Sequence, residues 1–74
     1  MPSFQLSAME QHCGSTDKLQ IARNLRAEYS EYPDAGIYEY VDSGGTPIIF
    51  VARTSQDLAS LHASPYCSGI RRLL

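Results

Sequence analysis

The sequence predicts a small α+β domain with elements in the order strand, helix, strand, strand, helix, strand. Two local patterns carry this prediction. Apolar residues recur at helical spacing along residues 17–29, and two strand-like runs at 37–41 and 47–53 flank a glycine-rich turn. The length of 74 residues is a third observation, since it limits the chain to one domain with a thin core. We expect that domain to span residues 1–74.

The first strand and the first helix are predicted near the beginning of the chain. Phe4, Leu6 and Ala8 alternate with polar residues, which is the period of a half-buried strand. Residues 11–16 break the alternation, and Ser15 or Thr16 can cap the helix that follows. The segment 17–29 is amphipathic, because its apolar side chains share one stripe. The stripe consists of Leu19, Ile21, Ala22, Leu25 and Tyr29.

A hairpin and a second helix are predicted next. Residues 32–36 contain a proline and a glycine, which end the helical pattern. Residues 37–41 are β-branched or aromatic except for one glutamate, residues 42–46 form the hairpin connection, and the returning strand covers 47–53. Ser55 can cap a shorter helix through residue 63, and a last strand is predicted over 66–73.

This element order is that of the ferredoxin-like fold. Right-handed crossovers arrange the βαββαβ order as a four-stranded antiparallel sheet of order 4-1-3-2, with two helices on one face. The fold serves enzymes, metabolite sensors, RNA binders and metal carriers. It therefore identifies a scaffold and no chemistry.

The bare face of such a sheet is the main candidate site. The strand over 47–53 is apolar on both of its faces, which indicates that both are covered in the working protein. A glutamate is unfavourable against the helices, so its face of the second strand is assigned to the bare side. The predicted binding interface consists of Ile37, Glu39, Val41, Ile49 and Val51. Two points stay open: which face of the third strand is exposed, and whether these are ordinary β-formers that are singly exposed.

Two cysteines, Cys13 and Cys67, form a second candidate site as a redox or thiol pair. In the 4-1-3-2 order the first and last strands are neighbours, so both cysteines are expected at the same end of the sheet. Two cysteines are too few to define a disulfide framework, and a reducing cytosol keeps both free by default. The sequence leaves the bond itself open.

The chemistry-bearing residues give no catalytic signature. His12 and Cys13 precede a helix, but the position six residues after Cys13, where phosphatase loops carry an arginine, is Leu19. The histidines and cysteines also lack the close ligand pairs of zinc sites, so no metal and no cofactor is expected. If the chain is an enzyme, His12 or His62 is the candidate base.

Charge and hydropathy narrow the range of partners. A net charge of −2 and scattered basic residues argue against nucleic acid, and no apolar run approaches the roughly 18 residues of a membrane helix. The first residues lack the features of a signal peptide, so a cytoplasmic location is expected. We therefore expect a non-enzymatic protein-binding module (adaptor, inhibitor or regulatory domain) that forms a homo-oligomer through its sheet. Two alternatives stay open: a small dimeric α/β-barrel-type enzyme with a histidine base, and a metabolite-sensing regulatory domain.

Overall fold

The computed structural model describes residues 3–65 and 67–74, and the side chain of Cys67 lies outside that description. The strands are β1 (Ser3–Gln5), β2 (Gly36–Val41), β3 (Pro47–Ala52) and β4 (Arg71–Arg72). The α-helices within these residues are α1 (Leu6–Cys13), α2 (Lys18–Glu28) and α3 (Ser55–His62), and a short 3₁₀ helix covers Cys67–Gly69. The predicted α+β class is confirmed, as is the antiparallel four-stranded sheet.

The first strand is shorter than the alternation predicts, because α1 begins at Leu6. Leu6 and Met9, three residues apart, pack against the core from the same side of this helix. The alternation of apolar residues was thus compatible with a helix as well as a strand. Gly14 ends α1 in the left-handed region (φ 68°), where its N–H donates to the Glu10 carbonyl.

Helix α2 matches the predicted amphipathic stripe closely. The Asp17 side chain caps it by accepting a hydrogen bond from the Leu19 N–H at 3.0 Å. Ile21, Ala22 and Leu25 are buried, as the spacing predicts. Leu19 departs from the prediction, since it remains 39% exposed.

The strand order is β1-β3-β2-β4, so the predicted position of β4 is wrong. The central β3 pairs antiparallel with β1 and with β2, in agreement with the predicted order of those three strands. β4 lies beside β2 instead of β1, with Arg72 opposite Tyr38. The physical reason is that β1 turns into a helix after three residues and offers little edge, whereas β2 offers six.

Helices cover both faces of the sheet, so the predicted bare face is wrong. On one face Ile37, Ile49 and Val51 pack with α2 residues and with Leu6 and Met9 of α1. On the other face Tyr38 and Phe50 belong to a separate cluster with Leu58 and Leu61 of α3. This arrangement explains why β3 is apolar throughout.

The position of β4 determines which face α3 covers. The connections β1 to β2 and β3 to β4 each cross one strand in the same direction along the sheet. They start from strands that run in opposite directions. Because crossovers between parallel strands are right-handed, the two connections must then pass over opposite faces of the sheet. In the 4-1-3-2 order the second connection would move the other way and return α3 to the face of α2.

Candidate functional site

The predicted interface residues divide into two groups. Ile37, Ile49 and Val51 are 0% exposed, because α2 covers their face, so they form no open surface. Glu39 and Val41 lie nearer the hairpin end of β2, where Lys18 at the beginning of α2 reaches Glu39. Val41 is 56% exposed, and the Glu39 side chain is 14% exposed. Two of the five residues therefore remain reachable.

A shallow cleft of about 250 Å³ lies at this hairpin end, and we name it the Val41 cleft. Its wall combines α1, β2 and β3 and is largely apolar. The apolar residues that line it are Leu6, Tyr40, Val41, Pro47, Ile48 and Ile49. Such a surface can receive an apolar side chain of another molecule.

Three charged side chains border the Val41 cleft. One oxygen of the Glu39 carboxylate, Oε2, lies 3.0 Å from Lys18 Nζ, and the other, Oε1, lies 3.6 Å from Arg71 Nε. Glu39 thus links α2, β2 and β4. Leu19 follows Lys18 on α2, and Leu19 and Val41 are the exposed large hydrophobic residues in the part of the chain that the structure describes.

A second cleft, of about 460 Å³, lies on the α3 face between β2, β4 and the beginning of α3. We name it the arginine cleft, because Arg53 and Arg72 both line it. The Tyr38 ring forms part of its wall, and the Arg72 guanidinium carbon lies 5.7 Å from the centre of that ring. The ring rests against Gly36, where a Cβ atom would lie 2.8 Å from Tyr38 Cε1.

Arg53 and Asp57 connect β3 to the first turn of α3. Asp57 Oδ2 accepts from Arg53 Nε at 3.1 Å and from the Arg53 backbone N–H at 3.1 Å. Burial raises the pKa of the Asp57 carboxyl, but these two hydrogen bonds from Arg53 lower it, and the net pKa lies below its ordinary value. The same side-chain hydrogen bond raises the pKa of Arg53 against the opposing effect of desolvation. Asp57 is consequently a fixed, ionised hydrogen-bond acceptor.

Neither of the two histidines lines the Val41 cleft or the arginine cleft. His12 Nε2 lies 2.9 Å from Glu28 Oε1 and so joins α1 to α2 at an exposed position. His62 is exposed in the last turn of α3. Among the described residues, no group of three or more His, Cys, Asp or Glu side chains is placed to hold a metal ion.

The observed strand order removes the reason to expect Cys13 and Cys67 close together. Cys13 is a half-buried free thiol at the end of α1, packed against the core. The side chain of Cys67 lies outside the described residues. The reason to expect the two together was that β1 and β4 would be neighbours, and these strands are at opposite edges of the sheet.

The arginine cleft is the feature that sequence reasoning missed. One signal was present, since Thr54 and Asp57 have the spacing of a capping box and Asp57 follows Arg53 at i+4. The Thr54 Oγ1 atom does accept from the Asp57 N–H at 3.3 Å. The contact between Arg72 and Tyr38 had no such signal, because it depends on the position of β4.

No protein-family model, curated protein or solved structure matches the chain. Among the helices of the described residues, none has the length and apolar character to cross a membrane.

Proposed function

We propose that this chain is a small non-enzymatic protein-binding module that docks and self-associates through the Val41 cleft. The observation that supports it is the 56% exposure of Val41 beside an apolar cleft, in a strand whose residue Ile37 is 0% exposed. Burial of an exposed β-branched side chain favours association, at about 25 cal/mol for each Å² of apolar surface removed from water. An adaptor, inhibitor or regulatory role fits a domain of this size.

A second copy of the chain is the occupant that the surface fits best. Leu19 follows Lys18 on α2 and Val41 lies two residues after Glu39 on β2, so each exposed hydrophobic residue is close in sequence to one member of the Lys18–Glu39 ion pair. In a two-fold dimer the same patch serves both partners, so a contact of one residue with another is repeated in reverse. Leu19 of each copy would then enter the Val41 cleft of the other. Both exposed large hydrophobic residues would be buried by one interface.

The substitution Val41→Lys tests this proposal. We expect the wild-type chain to form a dimer between micromolar and near-millimolar concentration, measured by light scattering coupled to gel filtration. Val41→Lys should give the monomer mass, because the dimer would bury an unpaired ammonium group. Val41 is exposed, so a thermal melt should show that the fold is retained.

The control is Val41→Thr, which keeps the shape and β-branching of the side chain. It should weaken the dimer less than Val41→Lys does. A wild-type chain that is monomeric over the whole range would contradict self-association. A Val41→Lys dimer as stable as the wild type would show that another surface is used.

A metabolite-sensing role is the second candidate, and the arginine cleft favours it. The guanidinium groups of Arg53 and Arg72 and the Tyr38 ring suit a small organic anion with a planar or apolar part. Asp34 also lines the cleft and Arg53 is paired with Asp57, so Arg72 is the main cation of the site. Chemical-shift changes confined to Arg53, Ser55 and Arg72 on addition of a dicarboxylate would support it. The enzyme alternative has no comparable support, since both histidines lie away from the clefts.

A further inference from the structure

The segment 71–74 lies along the outer edge of β2 like a bound peptide. Its regular strand, β4, has only two residues, and Arg71 and Arg72 are both exposed. Leu73 and Leu74 are half-buried and pack against the core cluster that contains Ile37. Edge strands of two exposed residues open more readily than the central strands of a sheet, so Leu73 and Leu74 and their backbone hydrogen bonds are what hold the segment in place.

The contacts of this segment resemble peptide recognition by strand addition. The Leu73 N–H donates to the Ile37 carbonyl at 2.7 Å, and the Ile37 N–H donates to the Leu74 carbonyl at 3.1 Å. Arg71 reaches the Glu39 carboxylate, and Arg72 lies over the Tyr38 ring. In strand addition, backbone hydrogen bonds provide affinity and side-chain contacts provide selectivity, and both are present here.

We propose that the outer edge of β2 is a peptide-binding edge and that residues 71–74 are its displaceable occupant. The partner is an extended segment of another protein that runs antiparallel to β2. It carries two adjacent cationic residues followed by two apolar ones. One cation pairs with Glu39, the other lies over Tyr38, and the apolar residues replace Leu73 and Leu74 beside Ile37.

The occupant competes with any partner because it is tethered to the site. A short tether gives an effective concentration in the millimolar range. A partner must therefore bind more strongly than the resident segment, or act when that segment is weakened. This inference goes beyond the proposed function, because it concerns the outer edge of β2; the Glu39–Arg71 ion pair belongs to this edge and also borders the Val41 cleft.

Hydrogen exchange of two adjacent amides tests whether the segment opens. The Ile37 N–H faces β4, and the N–H groups of successive strand residues face opposite sides, so that of Tyr38 faces β3. We expect the Ile37 amide to exchange much faster than the Tyr38 amide in the full chain. Equal protection of the two amides would overturn the proposal, because the segment would then open only with the whole sheet.

A probe peptide tests the binding itself. The probe is a blocked hexapeptide, Gly-Ile-Arg-Arg-Leu-Leu, that copies residues 69–74. Arg72→Glu in the full chain weakens the resident segment at an exposed position, so the probe should bind this variant several-fold more tightly than the wild type. The amide shifts of Ile37, Tyr38 and Glu39 should report the binding. Arg71→Ala is a second variant should Arg72→Glu fail to fold.

The matched control is Arg23→Glu, which makes the same charge change at an exposed position on α2. It should leave the affinity for the probe at the wild-type level. A probe with glutamates in place of the arginines should not bind. If millimolar probe causes no amide shifts at Ile37–Glu39 of the Arg72→Glu variant, the proposal is overturned. It is also overturned if two copies of the chain exchange residues 71–74 in a dimer that the probe cannot disrupt. Leu19→Lys, on α2 and outside the edge contacts described above, should bind the probe normally even where it abolishes the dimer, which separates the peptide-binding edge from the dimer interface.

Discussion

At the scale of single residues, one glycine determines the shape of the arginine cleft. The Tyr38 ring lies so close to Gly36 that the Cβ of any other residue there would be 2.8 Å from Tyr38 Cε1. Arg72 in turn depends on that ring, since its guanidinium carbon lies 5.7 Å from the ring centre. The absence of a side chain at Gly36 therefore positions an aromatic wall and a cation.

Gly36→Ala should destabilise the fold by about 1–3 kcal/mol, because the ring must move to relieve a 2.8 Å approach. The matched control is Gly44→Ala, where the new Cβ would meet only Asp42 Oδ1 at an ordinary 3.5 Å. The control should change stability by less than about 0.5 kcal/mol. Denaturant melts measure both, and equal effects would contradict the close packing of Tyr38 on Gly36.

Asp57 makes stability depend on pH. Its folded pKa lies below the ordinary value of 3.8, so its contribution is present above that value and is lost as the pH falls through the folded pKa. Asp57→Asn should lower the melting temperature near neutral pH, because the amide cannot replace the ionised acceptor of Arg53. The difference between variant and wild type should shrink as the pH falls below about 4. A difference that stays constant from pH 7 to pH 3 would contradict this role of the carboxylate.

At the scale of elements, local patterns predicted α2, the hairpin and α3, because each of these carries its signal within a few neighbouring residues. The apolar spacing of Ile21 and Leu25 determines the buried face of α2. The sequence pattern did not show where the first strand ends and α1 begins, because Leu6 fits both the strand period and the helix period. The last strand was predicted over 66–73, but the structure has a 3₁₀ helix at Cys67–Gly69 and a strand of two residues, Arg71–Arg72. Both arginines are exposed, so no apolar alternation marked where this strand begins.

The phase of α2 can be tested by comparing two positions on the same helix. Leu25 is 1% exposed, so Leu25→Ala should cost about 2–5 kcal/mol through lost burial and a residual cavity. Arg23 is exposed, and Arg23→Ala should change stability by less than about 0.5 kcal/mol. Urea melts that give similar midpoints for the two variants would show that the helix packs with another face.

At the scale of the whole molecule, the position of one short strand decided how much of the site could be predicted. The five interface residues were assigned to a bare face that exists only if both helices share the other face. With β4 beside β2, α3 crosses to the opposite face and buries Phe50. Val41 remains exposed and Glu39 remains partly accessible because both lie towards the hairpin, where Lys18 at the beginning of α2 reaches Glu39. The sequence could not give this result, since the pairing of β4 depends on long-range contacts with Ile37 and Tyr38.

The strand order itself makes a prediction that nuclear Overhauser effects can check. The Ile37 peptide group faces β4 and that of Tyr38 faces β3, so Tyr38 and Arg72 are opposite each other without mutual hydrogen bonds. In such antiparallel pairs the Cα atoms approach to about 4.5 Å, so a strong Hα–Hα effect should link Tyr38 and Arg72.

β1 and β4 are at opposite edges, three strand spacings apart, or about 14 Å. No effect should therefore link Arg71 or Arg72 to Ser3–Gln5, and Leu61 should show effects to the rings of Tyr38 and Phe50. Effects between β4 and β1 would restore the 4-1-3-2 order and, with it, α3 on the face of α2. The covered α3 face and the arginine cleft would then both be wrong, because each of them requires β4 at the edge of β2.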